Sequence, residues 1–237
     1  MKEQEIVFTL TVGEEWIPSA YYPIPASKQV PEWYKKMSSY SYKTKHNSDK
    51  RNASTIKRCM PVFDSLTAGY LLLLHTDLTL TKNEDGLNYN FNWAHDVTDS
   101  ISFHPSVQLK GYKDSEQKID APKLRNPWSI KTPKGYSCLF IPPMHRSATG
   151  IKILEGVVDT DTYTSAVQFP FVIDEGFEGD IPAGTPIAQV IPFKRENFKM
   201  RIGDFKEQRE AFDVLKTIGS VWVNGYRNIF RKEKRYL

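Results

Sequence analysis

Two acidic residues, Asp159 and Asp161, lie in an otherwise apolar stretch of the chain, GVVDTDTY, where a purely structural strand would avoid charge. A carboxylate that is ionised at neutral pH, and within hydrogen-bond reach of a water molecule, can orient or activate that water for attack. Because an unpaired buried carboxylate is costly, we expect both acids at the end of one strand, beside a turn or a subunit edge. They are the candidate catalytic acids.

A second pattern that could do chemistry is the His-x-Asp pair formed by His75 and Asp77. On a strand these side chains share a face, and with a distant His104 or His145 they would make the triad that holds non-haem Fe(II), with Arg146 available for a dicarboxylate co-substrate. No further spacing supports a metal. We therefore predict that these residues do not converge, and an Fe(II) oxygenase is the third hypothesis for function.

The 237 residues and formal charge of +4 predict one main core with a nearly neutral body. Positive charge is concentrated in the C-terminal stretch YRNIFRKEKRYL, whose Arg227, Arg231 and Arg235 are candidates for binding a partner. Whether that partner is a nucleic acid stays open. The two cysteines, Cys59 and Cys138, are too few for a disulfide framework and lack the CxxC spacing of a zinc site.

No apolar run is long enough to cross a bilayer, and the N-terminus has no apolar signal region. The expected setting is a cytosol, or a particle assembled in one. Three segments follow from the sequence pattern: an N-terminal strand, arm and polar loop at 1–50, a β core at 51–200, and a helical segment with a basic tail at 201–237.

The N-terminal arm is rich in proline and aromatic residues. Its prolines exclude a helix interior or a central strand, except for a short helix that begins near Pro31. The aromatic side chains of Trp16, Trp33 and Tyr34 are candidates for contact with a partner, and the alternative is that they cover the protein's own sheet.

The β core is predicted from a series of short β-favouring runs, from STIKRCMPVF to IPAGTPIAQVIPF, broken by Gly, Pro, Asn and Asp. Asp85-Gly86 has the signature of a hairpin turn. Many short strands without intervening helices indicate a sandwich or a barrel-like fold. Beyond the core, Phe205, Phe212 and Leu215 recur at helical spacing and predict a C-terminal helix.

Three motifs occur in a fixed order along the core: Arg146-Ser147, then Gly156 to Tyr163, then GTPIAQ, which ends at Gln189. In this order they resemble the motifs of the trimeric dUTPase and dCTP deaminase superfamily, which has a β-clip fold. The resemblance implies that Asp159 orients the attacking water. It also implies a trimer, Mg²⁺ as cofactor, and a nucleotide bound by Arg146, Ser147, Tyr163 and Gln189.

Two departures from that family pattern favour a protein without catalysis. Thr162 is inserted between Asp161 and Tyr163, which on a strand of period two would turn the tyrosine ring to the other face. The Gly-rich C-terminal arm that closes over the triphosphate in the family is replaced here by a helix and a basic tail.

Segments such as YYPIPASKQVPEWYKKM and LEGVVDTDTY also resemble an uncharacterised family of tailed-phage proteins with distant bacterial relatives. That resemblance implies a viral source, in the host cytoplasm or the virion, and assigns no chemistry. The leading interpretation is thus a structural component, at a capsid surface or neck, or a binding component, acting as a homo-oligomer or with other virion proteins. The alternative is a nucleotide-binding protein or a nucleoside-triphosphate pyrophosphatase.

Overall fold

The computed structural model describes residues 4–11, 13–41, 53–84, 88–93, 101–109, 111, 121–146, 149–220 and 224–237. In chain order the strands are β1 (Val7–Leu10), β2 (Ile24–Pro25), β3 (Tyr40–Ser41), β4 (Ala53–Ser54), β5 (Tyr70–Leu73), β6 (Leu78–Lys82), β7 (Tyr89–Trp93), β8 (Ile101–His104), β9 (Ala121–Leu124), β10 (Trp128–Lys131), β11 (Tyr136–Ile141), β12 (Ile151–Ile153), β13 (Gly156–Val158), β14 (Phe169–Ile173), β15 (Gly179–Ile181) and β16 (Pro186–Lys194). The helices are α1 (Glu32–Lys36), α2 (Met60–Thr67) and α3 (Phe205–Ser220), with one π-helical turn at Tyr226–Phe230.

These elements divide into two compact units. Unit 1 consists of Met1–Ala26 and Gly69–Arg195, and unit 2 consists of Ser27–Ala68 and Glu196–Leu237. The predicted fold class, mainly β with a Pro-rich N-terminal arm and a C-terminal helix, is confirmed. No helix in the described ranges has both the length and the apolar character needed to span a membrane.

Unit 1 consists of antiparallel sheets around one large apolar cluster, with a small second cluster at Ala26, Leu71 and Leu73. Its largest sheet has the strand order β13-β11-β16-β5-β2, and a four-stranded sheet has the order β12-β14-β9-β8. Three strands, β15-β6-β7, and the pair β1-β10 complete the unit. The inward-facing side chains of these sheets, among them Leu72, Phe140 and Phe171, are fully buried in a single cluster. This is the arrangement expected of a distorted sandwich or β-clip.

The predicted hairpin at Asp85-Gly86 is borne out by its two strands. β6 and β7 pair antiparallel, from Leu78 opposite Trp93 to Lys82 opposite Tyr89. The turn residues themselves lie outside the described residues, as does most of the polar loop predicted before the β core.

Unit 2 contains α1, α2, α3, the small pair β3-β4 and the π-helical turn. The prediction of a strand over STIKRCMPVF is wrong, because this stretch forms a short 3₁₀ turn followed by α2. Pro61 stands in the first turn of α2, where the missing N–H costs nothing because helix starts leave their first N–H groups without intrahelical acceptors. The predicted short helix of the arm is confirmed as α1.

Candidate functional site

Asp159 and Asp161 lie in a tight turn that begins directly after β13. The carbonyl oxygen of Asp159 accepts hydrogen bonds from the backbone N–H groups of Thr162 (3.0 Å) and Tyr163 (2.8 Å). The prediction that both acids stand at a strand end beside a turn is confirmed. The expectation that Tyr163 is turned to the opposite face of a strand is wrong, because residues 159–163 are in a turn and period two does not apply.

Arg195, at the end of β16, brings the two acids together. Its Nη1 donates to Asp161 Oδ1 (2.8 Å) and lies 3.1 Å from Asp159 Oδ1, and Nη2 forms a second bond to the Asp161 carboxylate. Ser137 Oγ donates to Asp159 Oδ1 at 2.6 Å, and the N–H of Gly135 donates to Asp161 Oδ2 at 2.8 Å. The end of β13, the start of β11 and the end of β16 meet at one end of the five-stranded sheet, which places these groups side by side.

The two acids differ in their surroundings. The Asp161 side chain is only 4% exposed, whereas the Asp159 side chain is 60% exposed. The hydrogen bond from Arg195, followed by that from the Gly135 N–H, lowers the pKa of Asp161 to about 2. Asp161 is therefore a fixed anion at neutral pH and a poor proton acceptor. Asp159, which shares Arg195 with Asp161 and accepts a hydrogen bond from Ser137, is the acid that a ligand in solvent can reach.

Gln189 and Arg146 form a second group of predicted residues. Gln189 is fully buried in β16, and its Oε1 accepts the N–H of Met144 at 2.9 Å. Arg146 Nη1 donates to the Met144 carbonyl oxygen at 3.3 Å, and Nη2 donates to the carbonyl of Ala26 at 3.4 Å. Burial lowers the pKa of Arg146 to about 10, so it remains a cation at neutral pH. Ser147 lies outside the described residues.

The two groups stand at opposite ends of β11 within one chain. Ser137, which contacts Asp159, is opposite Phe193, and Ile141 is opposite Gln189. Four residues of a strand span roughly 13 Å. The structure thus brings Arg146 to Gln189 and Asp159 to Asp161, and it does not bring the two pairs together in one chain.

His75 and Asp77 are not on a strand, which corrects the premise of the Fe(II) hypothesis. They lie in the bend between β5 and β6. The His75 ring packs edge-on against Trp16 with centroids 5.7 Å apart, and Asp77 Oδ1 accepts the N–H of Ala183 at 2.8 Å. Among the described residues, no three His, Cys, Asp or Glu side chains are grouped so that they could hold a metal ion.

The predicted partner-binding residues have different environments. Tyr34 is buried in unit 2, where its hydroxyl donates to the Lys57 carbonyl at 3.0 Å, and Trp33 beside it is partly exposed. Arg231 is held by Asp64, with Nη2–Oδ1 and Nε–Oδ1 distances of 2.7 and 3.0 Å. These contacts are within unit 2.

The other two arginines of the tail are exposed. Arg235 pairs with Glu233 at 3.0 Å, in contact with solvent. Arg227 makes no ion pair with any residue that the structure describes. Sequence reasoning missed Arg195 and Asp64, which organise the two arginine-carboxylate clusters. Arg195 is 34 residues from its partner Asp161, and Asp64 is 167 residues from its partner Arg231, so no local spacing reveals either pair.

No protein-family model matches the chain, and comparison with curated proteins gives no match. Solved structures that resemble it include dUTPases. A mutant dUTPase from phage phi11 of S. aureus, described for its coordination of a structural Mg(II) ion, is 12% identical with a TM-score of 0.35; the match covers 85% of this chain and 99% of that one. EIAV dUTPase is 14% identical with a TM-score of 0.29, and the match covers 56% of this chain and 98% of the EIAV chain. TM-scores this low carry no argument about this chain. The description of its fold therefore rests on the strand pairing given above.

Proposed function

We propose that the protein is a structural or binding component that assembles as a homo-oligomer through one surface of unit 2. This surface, the C-terminal apolar segment, comprises residues 196–204 and helix α3. Phe198, Met200 and Ile202 stand at every second position of residues 196–204, which have no regular secondary structure, and are 88%, 87% and 86% exposed. Three large exposed apolar side chains this close together are typical of an interaction surface.

Helix α3 continues the same surface. Phe205, Phe212 and Leu215 are exposed along the helix. Its start is defined by a capping box in which the Asp204 carboxylate accepts the Glu207 N–H (3.0 Å) and the Glu207 carboxylate accepts the Asp204 N–H (2.9 Å). A 16-residue helix is only marginally stable in water by itself, so burial of its apolar face against a partner would stabilise it.

A second copy of the chain is the proposed partner because unit 1 offers a matching surface. On the outer face of the five-stranded sheet, Val157 is opposite Leu139, which is opposite Ile191, and Phe193 follows on the same face. Val157 and Phe193 are exposed. Contact of the C-terminal apolar segment with this face of another copy would be heterologous, and such contacts form a ring when the rotation between copies closes. A trimer is proposed from the sequence resemblance alone.

The proposal of a non-catalytic role is supported by the state of the acids. Asp161 is engaged by Arg195 and Gly135, which makes it a poor proton acceptor at neutral pH, and Asp159 is held by the same guanidinium and by Ser137. The phage setting, in the host cytoplasm or as a capsid-surface or neck component, is proposed from the sequence resemblance.

Replacing Phe198, Met200 and Ile202 together with serine tests the assembly. We expect the parent protein to elute as an oligomer and the triple variant as a monomer, because the substitution removes the apolar contacts between copies. Size-exclusion chromatography with light scattering measures both masses. Lys199→Ser, between two of these apolar residues in the same stretch, is the matched control and should keep the parent's mass. A monomeric parent, or a triple variant that keeps the oligomeric mass, contradicts the proposal.

Nucleotide binding at Arg146 and Gln189 is the second candidate function. It is favoured by one observation: burial lowers the pKa of Arg146, and a bound phosphate would stabilise that buried cation. A panel of nucleoside triphosphates with Mg²⁺, followed by thermal shift and pyrophosphate release, tests it. A ligand at a hundred times its Kd should add about 2.7 kcal/mol of stability. Arg146→Gln should abolish the shift, and the absence of any shift with every nucleotide rejects this candidate.

A further inference from the structure

Unit 2 contains a cavity of about 490 Å³ that the candidate functions above do not use. It is lined by the start of α2 and by the residues around the π-helical turn, among them Ser54, Arg58, Cys59, Asn224 and Arg227. Its volume is within the range of small-molecule sites, about 300–1,000 Å³.

Arg58 is held in place by neutral groups. Its Nη1 donates to the Tyr40 hydroxyl and to Ser54 Oγ (3.3 Å), and Nη2 donates to Asn224 Oδ1 at 2.9 Å. The guanidinium also stacks on the Tyr40 ring, 4.5 Å from its centroid. A guanidinium has five N–H donors. Two of the five, the Nε–H and one Nη2–H, have no acceptor among the residues that the structure describes. Arg58 is therefore oriented by these contacts, but no described carboxylate neutralises its charge.

The charge of the cavity is unbalanced. Among the described residues that line it, Arg58 and Arg227 are the cations and none is acidic. Three other arginines of the C-terminal part of unit 2, Arg201, Arg231 and Arg235, each pair with a carboxylate. Two arginines without carboxylate partners at one cavity favour an anion between them.

The start of α2 adds to this positive potential. Cys59 occupies the N-cap position and makes no side-chain capping bond, so the N–H groups of Met60 and Val62 receive no cap from it; Pro61 has no N–H. These groups carry the positive end of the helix dipole at the wall of the cavity. The Ser54 hydroxyl, which accepts from Arg58, keeps its own proton for a further acceptor.

We infer that this cavity binds the phosphate group of a small phosphomonoester. Arg58 and Arg227 bind the phosphate oxygens, Ser54 donates a hydrogen bond, and the side chains of Met60, Pro61 and Tyr226 form an apolar wall for the organic part of the ligand. The inference is independent of the assembly proposed above, which uses other residues of unit 2.

The exposed thiol of Cys59 reports occupancy of the cavity directly. Inorganic phosphate and ribose 5-phosphate should slow alkylation of Cys59 by iodoacetamide, measured by mass spectrometry, relative to chloride at equal ionic strength. At ten times the Kd the rate should fall about elevenfold. Cys138 is buried and serves as an internal reference, since its alkylation reports unfolding. Unchanged Cys59 alkylation at millimolar concentrations of both probes overturns the inference.

Two variants of equal charge distinguish this cavity from a diffuse basic surface. Arg227→Gln should weaken binding of ribose 5-phosphate at least about tenfold in calorimetry, because it removes a charge-assisted hydrogen bond. Arg235→Gln, whose side chain pairs with Glu233 outside the cavity, should bind as the parent does. An equal loss of ribose 5-phosphate binding in both variants overturns the inference in favour of a general polyanion surface. The same conclusion follows if the parent binds a single-stranded oligonucleotide more tightly than ribose 5-phosphate and both variants weaken that binding.

Discussion

Gly69→Ala should prevent stable folding of unit 1. Gly69 has a φ of +66°, and a Cβ at this position would stand 2.0 Å from the carbonyl oxygen of Val190 and 3.1 Å from the Cα of Ile191. Both atoms belong to the backbone of β16, which is paired with β5 immediately after Gly69, so they cannot withdraw without breaking that pairing. We expect a loss of about 3 kcal/mol or more, measured by thermal or urea unfolding followed by circular dichroism.

Gly176→Ala is the matched control for this substitution. Gly176 also has a positive φ, +72°, but nothing lies within 4 Å of the Cβ that an alanine would add. The control therefore isolates the cost of the left-handed conformation, about 1–2 kcal/mol. If the two variants lose the same stability, the close approach of Gly69 to β16 does not contribute.

Asp64→Ala should release the C-terminal residues of unit 2. Asp64 accepts hydrogen bonds from Arg231 and, at 3.0 Å, from Lys234, and its side chain is 12% exposed. Removing it leaves a largely buried guanidinium without its carboxylate, at a cost of about 2 kcal/mol. A cost of that size corresponds to a roughly thirtyfold rise in the fraction of molecules whose C-terminal residues have detached from unit 2. Limited trypsin digestion at Arg231, followed by mass spectrometry, detects this rise.

The control is Glu233→Ala, which removes the exposed pair with Arg235 and should leave the digestion rate unchanged.

Acid should mimic the loss of Asp64. Burial alone would raise the pKa of the Asp64 carboxyl, but the hydrogen bonds from Arg231 and Lys234 outweigh it and hold the pKa below 3.8. The pair therefore contributes fully above pH 3.8 and is lost as the pH falls through the lower folded-state pKa. Because trypsin is inactive in acid, opening at low pH is measured by hydrogen exchange of the amides of Tyr226–Phe230, corrected for the intrinsic pH dependence of exchange. Corrected exchange that is independent of pH across this interval contradicts the assignment.

Local patterns were sufficient for most of the β architecture. The Asp85-Gly86 signature and the alternation around it define the β6–β7 pair, and the apolar run at β5 becomes a strand with neighbours on both sides. The same reasoning failed at α2, because its eight residues include a proline and a valine that favour neither a strand nor a helix clearly, and eight residues are too few for a helical period to stand out.

The candidate site was predictable only in part. The turn after β13 follows from the cost of burying Asp159 and Asp161 in a core, and it could be predicted from residue types alone. The identity of the cation that binds them could not, because Arg195 is brought to Asp161 by the pairing of β16 with β11, which is a long-range property of the fold. The same holds for Arg58 and Asn224, whose contact joins residues 166 positions apart.

The division of the chain into two units also fixes an order of events during protein synthesis. Unit 2 takes its first stretch from Ser27–Ala68 and its second from Glu196–Leu237, and all of Gly69–Arg195 is translated between them. At about 5–20 residues per second, the first stretch waits roughly ten seconds for the second. During that interval unit 1 can fold, while the Asp64 carboxylate waits for Arg231 and Lys234, which have not yet been made. The nascent chain thus passes through a stage at which all residues of unit 1 are present and only the first stretch of unit 2 is.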